Sequence, residues 1–281
     1  MEINIDKKKM ILEFNHIKND NRGYETGTYW NEIVLNFQWK EFYKKEIELW
    51  NTNPIFRGVP LRSYIYNNRL KYIGKGEHEL TDREILRAFK IIGIHFGYSF
   101  HSPFWIKQFI KDYKVTCILD PCGGWGHRML GAATNSDITY IYNDINSNTY
   151  RNCKDMANYF NMNNVIFYNE DASELELKED YDCIFTCPPY HNLEIYSKDG
   201  AENLPYLEFK YWWKSVIRNT LHNNLKYIAF VINEKYRQDL SDMVLEYAKL
   251  DKQIPLGSST QLHHFNKDSG KPKEQLLIFK L

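Results

Sequence analysis

The stretch Asp120-Pro121-Cys122-Gly123-Gly124-Trp125-Gly126 joins an apolar run at residues 115–119 to a segment of helix-compatible composition at residues 127–133. This order predicts a buried β-strand, a glycine turn and a helix. Glycines in such a turn let backbone N–H groups approach a ligand closely, and the helix that follows presents the positive end of its dipole. Gly124 and Gly126 match only the first half of the G-x-G-x-x-G dinucleotide pattern. The turn alone therefore leaves its ligand open.

Two carboxylates follow further apolar runs downstream. Asp144 lies 20 residues after Gly124 and ends the run at 139–143, where nucleoside-binding folds hold a carboxylate against ribose hydroxyls. Asp171 follows a third run at 165–168. Taken singly, each acid is typical of a solvated loop. Because the carboxyl ends of parallel strands meet at one edge of a sheet, the acids and the glycine turn together favour a nucleoside site.

The stretch Thr186-Cys187-Pro188-Pro189-Tyr190 directly follows the apolar run at 181–185. Its prolines fix φ and lack N–H donors, so the carbonyls before them can point into a cleft instead of joining the sheet. A rigid turn with outward carbonyls and a ring suits a planar group that carries an amine, since carbonyls accept its hydrogens and the ring stacks on its face. The alternative is a proline-rich loop with a tyrosine in the core.

Both stretches resemble motifs of class I S-adenosylmethionine-dependent amino-methyltransferases. Residues 120–126 are similar to the Asp-Pro-Phe-x-Gly-x-Gly cofactor motif of that family, and residues 187–190 to its [Asp/Asn/Ser]-Pro-Pro-[Tyr/Phe] catalytic motif. The cofactor motif comes first, as in one set of DNA-modifying groups. The resemblance covers residues 101–281 and implies a Rossmann-like α/β fold. We expect a doubly wound, mostly parallel seven-stranded sheet with an N-terminal helical and aromatic accessory region.

Two positions depart from the family pattern. Cys122 stands where the family usually has Phe, whose ring commonly packs near the cofactor, and Trp125 or Phe104 are candidates to replace that ring. Cys187 stands where the family has Asp, Asn or Ser, and a thiol is a weaker acceptor for amine hydrogens. Thr186 followed by a Ser-sized Cys187 is closest to the N4-cytosine enzymes, but the choice between cytosine and adenine stays open.

The resemblance implies transfer of a methyl group from S-adenosylmethionine to an exocyclic amine of a DNA base, N4 of cytosine or N6 of adenine. An RNA or protein-glutamine methyltransferase and a non-catalytic nucleic-acid-binding subunit are the alternatives. The implied catalytic residues are Cys187, Pro188, Pro189 and Tyr190. The implied cofactor-binding residues are Asp120, Pro121, Cys122, Gly123, Gly124, Gly126, Asp144, Asp171, Ser102 and Phe104. Candidate substrate contacts, in the loop after residue 190 and in an Arg- and Tyr-rich segment near residue 60, are Tyr190, Glu194, Tyr196, Arg57 and Arg62.

Composition is consistent with a cytoplasmic enzyme. The 281 residues, 43% of them hydrophobic, can form one large α/β domain at 101–281 and an accessory or target-recognition region at 1–100. No run approaches the roughly 18 apolar residues of a membrane span, and the first residues lack the apolar core of a signal peptide. The five cysteines contain no C-x-x-C pair, which disfavours a disulfide framework and a metal site and favours a reducing compartment.

The net charge of zero conceals an asymmetry. Residues 1–115 contain 19 basic and 14 acidic side chains, whereas residues 116–281 contain 17 basic and 22 acidic ones. A basic amino-terminal part suits a polyanion, so nucleic acid is the expected partner, with DNA the first candidate. The oligomeric state and the existence of a restriction partner stay open.

Local signals predict the remaining elements. A capping box at 81–84 predicts a helix through residue 92, and Ser102 and Pro103 are expected to start the next helix. Helices are also expected at 206–221 and 238–249, and strands at 227–232 and 275–279. Alternating strands and helices indicate a doubly wound sheet.

Overall fold

The computed structural model describes residues 7–20, 22–24, 32–56, 58–74, 76, 79–80, 84–85, 88, 92, 101–191, 203–256 and 274–281. In these parts of the chain, no helix is both long enough and apolar enough to cross a membrane. The helices are α1 (Lys7–Asn19), α2 (Glu32–Thr52), α3 (Leu61–Asn67), α4 (Arg69–Tyr72), α5 (Pro103–Tyr113), α6 (His127–Ala133), α7 (Ser147–Tyr159), α8 (Tyr206–Thr220) and α9 (Arg237–Leu245), with a 3₁₀ turn at Glu234–Tyr236.

The described strands form one seven-stranded sheet in the order β3-β2-β1-β4-β5-β7-β6. The first five strands along the chain pair in parallel, and β7 runs antiparallel between β5 and β6. The predicted doubly wound, mostly parallel α/β sheet is therefore confirmed. The strands are β1 (Cys117–Asp120), β2 (Thr139–Asn143), β3 (Val165–Tyr168), β4 (Cys183–Thr186), β5 (Tyr227–Asn233), β6 (Lys249–Pro255) and β7 (Glu274–Lys280).

Strand β6 is a strand that local sequence signals missed. The helix predicted over 238–249 ends at Leu245, and the chain then enters β6 at Lys249. All residues of β6 except Ile254 are exposed, so no apolar alternation marks it as a strand. Backbone pairing with β7 holds it at the sheet edge, with a register shift between Leu250 and Lys252.

Helices cover both faces of the sheet. Because successive strand residues point to opposite faces, Ile118 and Tyr140 pack in the cluster formed with α5, α6 and α7. Leu119 and Ile141 pack on the other face, in the cluster formed with α8 and α9. The apolar side chains of the central strands are thereby enclosed on both sides. The carboxyl ends of these strands form one edge of the core.

The amino-terminal helices α1 and α2 pack in the same cluster as α5, α6 and α7. Glu13 of α1 is 2% exposed and accepts a 2.8 Å hydrogen bond from the backbone N–H of Ile33, near the start of α2. Lys107 Nζ on α5 donates to the carbonyl oxygens of Lys18 at 3.1 Å and Asp20 at 2.7 Å, at the end of α1. Both ends of the α1–α2 connection are therefore anchored to neighbouring helices.

A separate cluster begins where α2 ends. Trp50, Ile65 and Tyr72 pack together with residues of the segment that follows α4. Of the helix predicted through residue 92, the capping box at 81–83 lies outside the described residues, and positions 84–85, 88 and 92 are helical. The division of the chain at residue 100 stays a prediction.

The predicted start of α5 is confirmed. Ser102 is the N-cap, and its Oγ accepts a 3.4 Å hydrogen bond from the backbone N–H of Phe104. Pro103 occupies the first helical position, where its missing N–H costs nothing. This cap sets the direction in which α5 leaves the edge of the sheet.

Candidate functional site at the switch point of the sheet

Two loops flank the point at which the strand order reverses. Strands β1 and β4 are neighbours, but the sheet continues from β1 to β2 on one side and from β4 to β5 on the other. The glycine loop, residues 121–126, follows β1, and the proline loop, residues 187–190, follows β4. Open α/β sheets bind ligands in the crevice at such a switch point. The two stretches that stand out in the sequence therefore adjoin this crevice.

The glycine loop packs tightly against the core at Gly123 and is open on one side at Gly124. A Cβ on Gly123 would lie 2.2 Å from the ring of Tyr142, so only glycine fits there. Gly124 and Gly126 have φ values of 58° and 91°, in the left-handed region that favours glycine. A Cβ on Gly124 would meet no atom closer than 4.0 Å, the carbonyl oxygen of Cys122. The loop thus leaves space for a ligand beside Gly124.

Asp144 lies at the sheet edge where the sequence predicts it, and there it is directly against the glycine loop. Its Oδ2 accepts a 2.8 Å hydrogen bond from the N–H of Gly124, and its Oδ1 accepts one of 2.8 Å from Asn146. Burial raises the pKa of this carboxyl to about 6, although the two backbone hydrogen bonds act in the opposite direction. Asp144 is half-buried, so a partly exposed ionisable carboxylate stands beside the open face of the loop.

Asn143, which sequence patterns did not single out, ties the ends of three strands together. Its Nδ2 donates at 3.0 Å to the carbonyl oxygens of Pro121 and Glu170, and its Oδ1 accepts from the N–H of Glu170. The N–H of Gly123 donates to its carbonyl oxygen at 2.7 Å. This fully buried side chain fixes the glycine loop to the turn after β3.

Asp120, predicted to bind the cofactor, is fully buried below the glycine loop. Its carboxylate accepts from Arg128 Nε at 2.6 Å and from the hydroxyl of Thr186 at 2.7 Å. It also accepts from the hydroxyl of Tyr140 and from the N–H of Cys122. The carboxylate has no surface open to a ligand in this arrangement, so any contribution of Asp120 to cofactor binding is indirect, through the position of the loop.

Arg128 is the main partner that sequence patterns missed. It is 6% exposed, and its guanidinium also donates to the carbonyl oxygen of Cys122 and to His101 Nδ1. Burial alone would lower the pKa of the guanidinium, but the Asp120 carboxylate outweighs this and raises it. Burial and the nearby Arg128 charge lower the pKa of His101, so the imidazole is neutral and accepts through Nδ1. The ion pair therefore connects β1, α6 and the segment before α5.

The proline loop is more enclosed than its sequence suggests. Cys187 and Pro189 are half-buried and Pro188 is buried. Tyr190 is 3% exposed, and its ring stacks on Tyr236 at 5.2 Å with an interplanar angle of 14°. Its hydroxyl accepts a 2.8 Å hydrogen bond from the N–H of Asn233. Stacking of Tyr190 on a substrate ring would therefore require this cluster to open.

Asp171, the third strand-end acid, contacts α8. Its Oδ1 accepts from the N–H and hydroxyl of Ser173 at 2.8 and 2.7 Å, and from Trp212 Nε1 at 2.7 Å. Trp212 was not among the predicted site residues, because its indole reaches the turn after β3 only through the packing of α8 on the sheet. This hydrogen bond connects the turn after β3 to α8.

The other predicted cofactor residues occupy different surroundings. Ser102 and Phe104 are buried, and the Phe104 ring faces His16 edge-on at 5.9 Å. Cys122 is half-buried. Burial, followed by the charges of Asp120 and Asp144, raises the pKa of its thiol, which stays protonated.

The predicted substrate contacts are only partly described. Arg57, Glu194 and Tyr196 lie outside the described residues. Arg62 donates from Nη1 to the carbonyl oxygen of Leu80 at 3.2 Å and lines a surface groove on α3. Among the residues that the structure describes, no three His, Cys, Asp or Glu side chains are arranged to hold a metal ion.

Comparison with known proteins finds only solved structures of low sequence identity. No family model matches the chain, and no curated protein matches it. TrmN from Thermus thermophilus is 14% identical over 73% of this chain and 69% of its own, with a TM-score of 0.49. An S-adenosylmethionine-dependent methyltransferase from Clostridium acetobutylicum ATCC 824 is 11% identical over 63% of this chain and 89% of its own, with a TM-score of 0.44. The N-methyltransferase NodS from Bradyrhizobium japonicum WM9 is 9% identical over 59% and 85%, with a TM-score of 0.41. Similarity at this level carries no information on ligand or substrate.

Proposed function

We propose that the chain is an S-adenosylmethionine-dependent methyltransferase that modifies an exocyclic amine of a DNA base. The observation that carries the proposal is the contact between Gly124 and Asp144 beside the switch point, with the proline loop on the neighbouring strand. A glycine turn with a carboxylate suits a nucleoside, and a Pro-Pro turn with outward carbonyls suits an amine.

The residues present fit the methyl donor. The outer side of Gly124 is open, since a Cβ there would meet nothing within 4 Å except the carbonyl oxygen of Cys122 at 4.0 Å. The Asp144 carboxylate is partly exposed and each of its oxygens holds one hydrogen bond from the protein, so both can accept another. We assign Gly124 and Gly126 to the backbone cradle, Asp144 to the ribose hydroxyls and Asp171 to the adenine amine. When bound, the donor supplies an electrophilic methyl group.

The proline loop would orient the acceptor amine. The Cys187 thiol donates to the carbonyl oxygen of Pro188 at 3.9 Å, so a bound amine would replace the thiol proton at this carbonyl and would find the sulfur beside it as a second acceptor. An exocyclic amine is a poor nucleophile because its lone pair is delocalised into the ring. Hydrogen bonds from both amine hydrogens to the Cys187 sulfur and the Pro188 carbonyl favour a tetrahedral nitrogen. A nitrogen held in this way would accept on its lone pair the methyl group that the donor supplies, and it would release one of its protons to solvent.

DNA is proposed as the substrate for two reasons. The order of the motifs and the Cys-Pro-Pro-Tyr sequence resemble the DNA-modifying groups. The basic amino-terminal part, with 19 Lys or Arg against 14 Asp or Glu in residues 1–115, suits phosphate contacts. The target base must leave its stack, at a cost of a few kcal/mol. Separation of Tyr190 from Tyr236 would expose a ring onto which the base can stack.

The experiment that tests this function is transfer of radiolabelled methyl from S-adenosylmethionine to unmethylated DNA, with RNA and a protein extract in parallel. A nucleoside digest identifies the product, and the Asp144→Ala protein serves as a control with impaired donor binding. Label in N4-methylcytosine or N6-methyladenine supports the proposal. Label in RNA or protein alone would show that the substrate is RNA or protein and not DNA. Absence of label in every pool despite donor binding would indicate a non-catalytic nucleic-acid-binding subunit.

The affinity for the donor is expected to depend on pH through Asp144. Because its pKa is raised to about 6 and ribose hydroxyls donate to the ionised form, affinity should fall by up to about tenfold per pH unit below that value. In the ligand-free protein, the stability contributed by Asp144 depends on pH in the opposite direction. The stability contributed by protonated Asp144 is present below the ordinary pKa of 3.8 and is lost as the pH rises through about 6.

Titration calorimetry with S-adenosylmethionine between pH 5 and 8 measures this dependence. The Asp144→Asn protein should bind more weakly at pH 8 and show a flat profile. The same pH slope in Asp144→Asn as in the wild type would show that Asp144 does not bind the ribose.

A further inference from the structure

Helix α2 is hydrogen-bonded to α7 through the buried amide of Gln38. Gln38 is 0% exposed. Its Nε2 donates at 3.4 Å both to the carbonyl oxygen of Thr149 and to Cys153 Sγ, and its Oε1 accepts a 2.9 Å hydrogen bond from Asn152. A buried glutamine in place of an apolar residue is costly unless its amide is satisfied, as it is here. Gln38 thus fixes the register of α2 against α7.

The sulfur that Gln38 contacts is in turn bonded to the glycine loop. Cys153 Sγ donates to the carbonyl oxygen of Gly124 at 3.6 Å, a normal length for sulfur. Burial raises the pKa of Cys153 to about 12, so the thiol keeps its proton and remains a donor. The hydroxyl of Tyr142 donates to the same carbonyl at 2.7 Å. With the N–H of Gly124 bonded to Asp144, both peptide groups of this residue are held from within the protein.

A second contact joins α2 to the same loop. The ring of Phe42, which is 0% exposed, meets the indole of Trp125 at 4.7 Å and 68°, an edge-to-face arrangement. Gln38 and Phe42 are four residues apart and therefore lie on one face of α2. This face covers the loop that the proposed function assigns to the methyl donor.

We infer that α2 completes the donor site, with Gln38 as a positioning residue that acts on Gly124 through Cys153. The inference rests on the proposed function for the identity of the ligand. It assigns the docking of an amino-terminal helix to the donor-binding step, whereas the sequence suggested an accessory or target-recognition role for the whole of residues 1–100. Donor binding and the docking of α2 are then thermodynamically linked, so each strengthens the other.

The first test compares donor affinity in Gln38→Leu and in a matched control. Tyr181→Phe is the control, because the Tyr181 hydroxyl donates to the carbonyl oxygen of Thr220 at 2.6 Å within the cluster on the opposite face of the sheet. Both changes remove buried hydrogen bonds, one in Tyr181→Phe and three in Gln38→Leu, so both should lower stability. Only Gln38→Leu should weaken S-adenosylmethionine binding, by about two- to tenfold, as expected for one hydrogen bond. Equal affinity in Gln38→Leu and the wild type would overturn the inference.

A double-mutant cycle tests whether Gln38 acts through Cys153. Cys153→Ala should weaken donor binding, whereas Cys153→Ser, which keeps a hydrogen-bond donor, should recover much of the affinity. Gln38→Leu in the Cys153→Ala background should have little further effect. Fully additive effects would overturn the proposed route. If Gln38→Leu fails to fold, the comparison of Cys153→Ala with Cys153→Ser decides the question.

Hydrogen exchange in the ligand-free protein separates this inference from the proposed function. The Gly124 amide should exchange faster in Gln38→Leu than in the wild type. Its exchange rate in Tyr181→Phe should equal that of the wild type. A wild-type protein that binds no S-adenosylmethionine would refute the proposed function, while faster exchange at Gly124 would still show the link. Unchanged exchange at Gly124 in Gln38→Leu would refute the link itself.

Discussion

Replacement of Asp120 by Asn is expected to lower the free energy of unfolding by about 3–5 kcal/mol, the usual cost of leaving one member of a buried ion pair without its partner. Asp120 is 0% exposed and Arg128 6% exposed, and Nε lies 2.6 Å from the carboxylate. The amide of Asn cannot balance the guanidinium charge. It also presents an NH2 group to the hydroxyls of Tyr140 or Thr186, which now donate to the carboxylate. Urea unfolding followed by circular dichroism measures the loss.

The control and the partner variant make this prediction specific. Asp155→Asn, on the exposed face of α7, should change stability by less than about 0.5 kcal/mol. Arg128→Met in the Asp120→Asn background should recover part of the loss, because it removes the unpaired charge. A cost for Asp120→Asn no greater than that of Asp155→Asn would show that the buried pair does not hold the loop.

Replacement of Gly123 by Ala is expected to displace the glycine loop. The new Cβ would lie 2.2, 2.4 and 2.8 Å from three atoms of the Tyr142 ring. That ring is fully buried and its hydroxyl is bonded to Gly124, so it cannot turn aside. Overpacking of this kind costs about 1–3 kcal/mol. Since 1.4 kcal/mol is tenfold in affinity, donor binding should weaken by about five- to a hundredfold if the loop absorbs the shift.

Calorimetry with S-adenosylmethionine and urea unfolding, done on the same preparations, show how the cost is divided between donor affinity and stability. Gly76→Ala is the matched control, because a Cβ at Gly76 would meet no atom within 4 Å. The Gly123→Ala change should cost less in a Tyr142→Ala background, where the ring is absent. Wild-type stability and wild-type affinity in Gly123→Ala would contradict the close approach of ring and loop.

The backbone of the site was predictable because glycine and proline act on their own dihedral angles. The left-handed φ at Gly124 and Gly126, the cap at Ser102 and the strand that leads to Pro188 all follow from local chemistry. The placement of Asp144 and the glycine loop at one edge of the sheet was predicted, since parallel strands place their carboxyl ends together, but the hydrogen bond between Asp144 and Gly124 was not. Strand β6 left no such local trace, because its side chains are exposed and its pairing is made by the backbone.

Side-chain partners depended instead on how the helices pack against the sheet. No periodic pattern connects Gln38 with Cys153, 115 residues away, or Thr186 with Asp120, 66 residues away. For the same reason Tyr190, which is expected at a ligand surface from its motif, lies stacked in the core. Local sequence therefore established the turns, the strand ends and the chemical groups at the crevice. The packing of α2, α6 and α8 decided which of those groups are exposed at the crevice and which are buried and hold the loops, because burial and partner choice depend on surfaces that are distant in the chain.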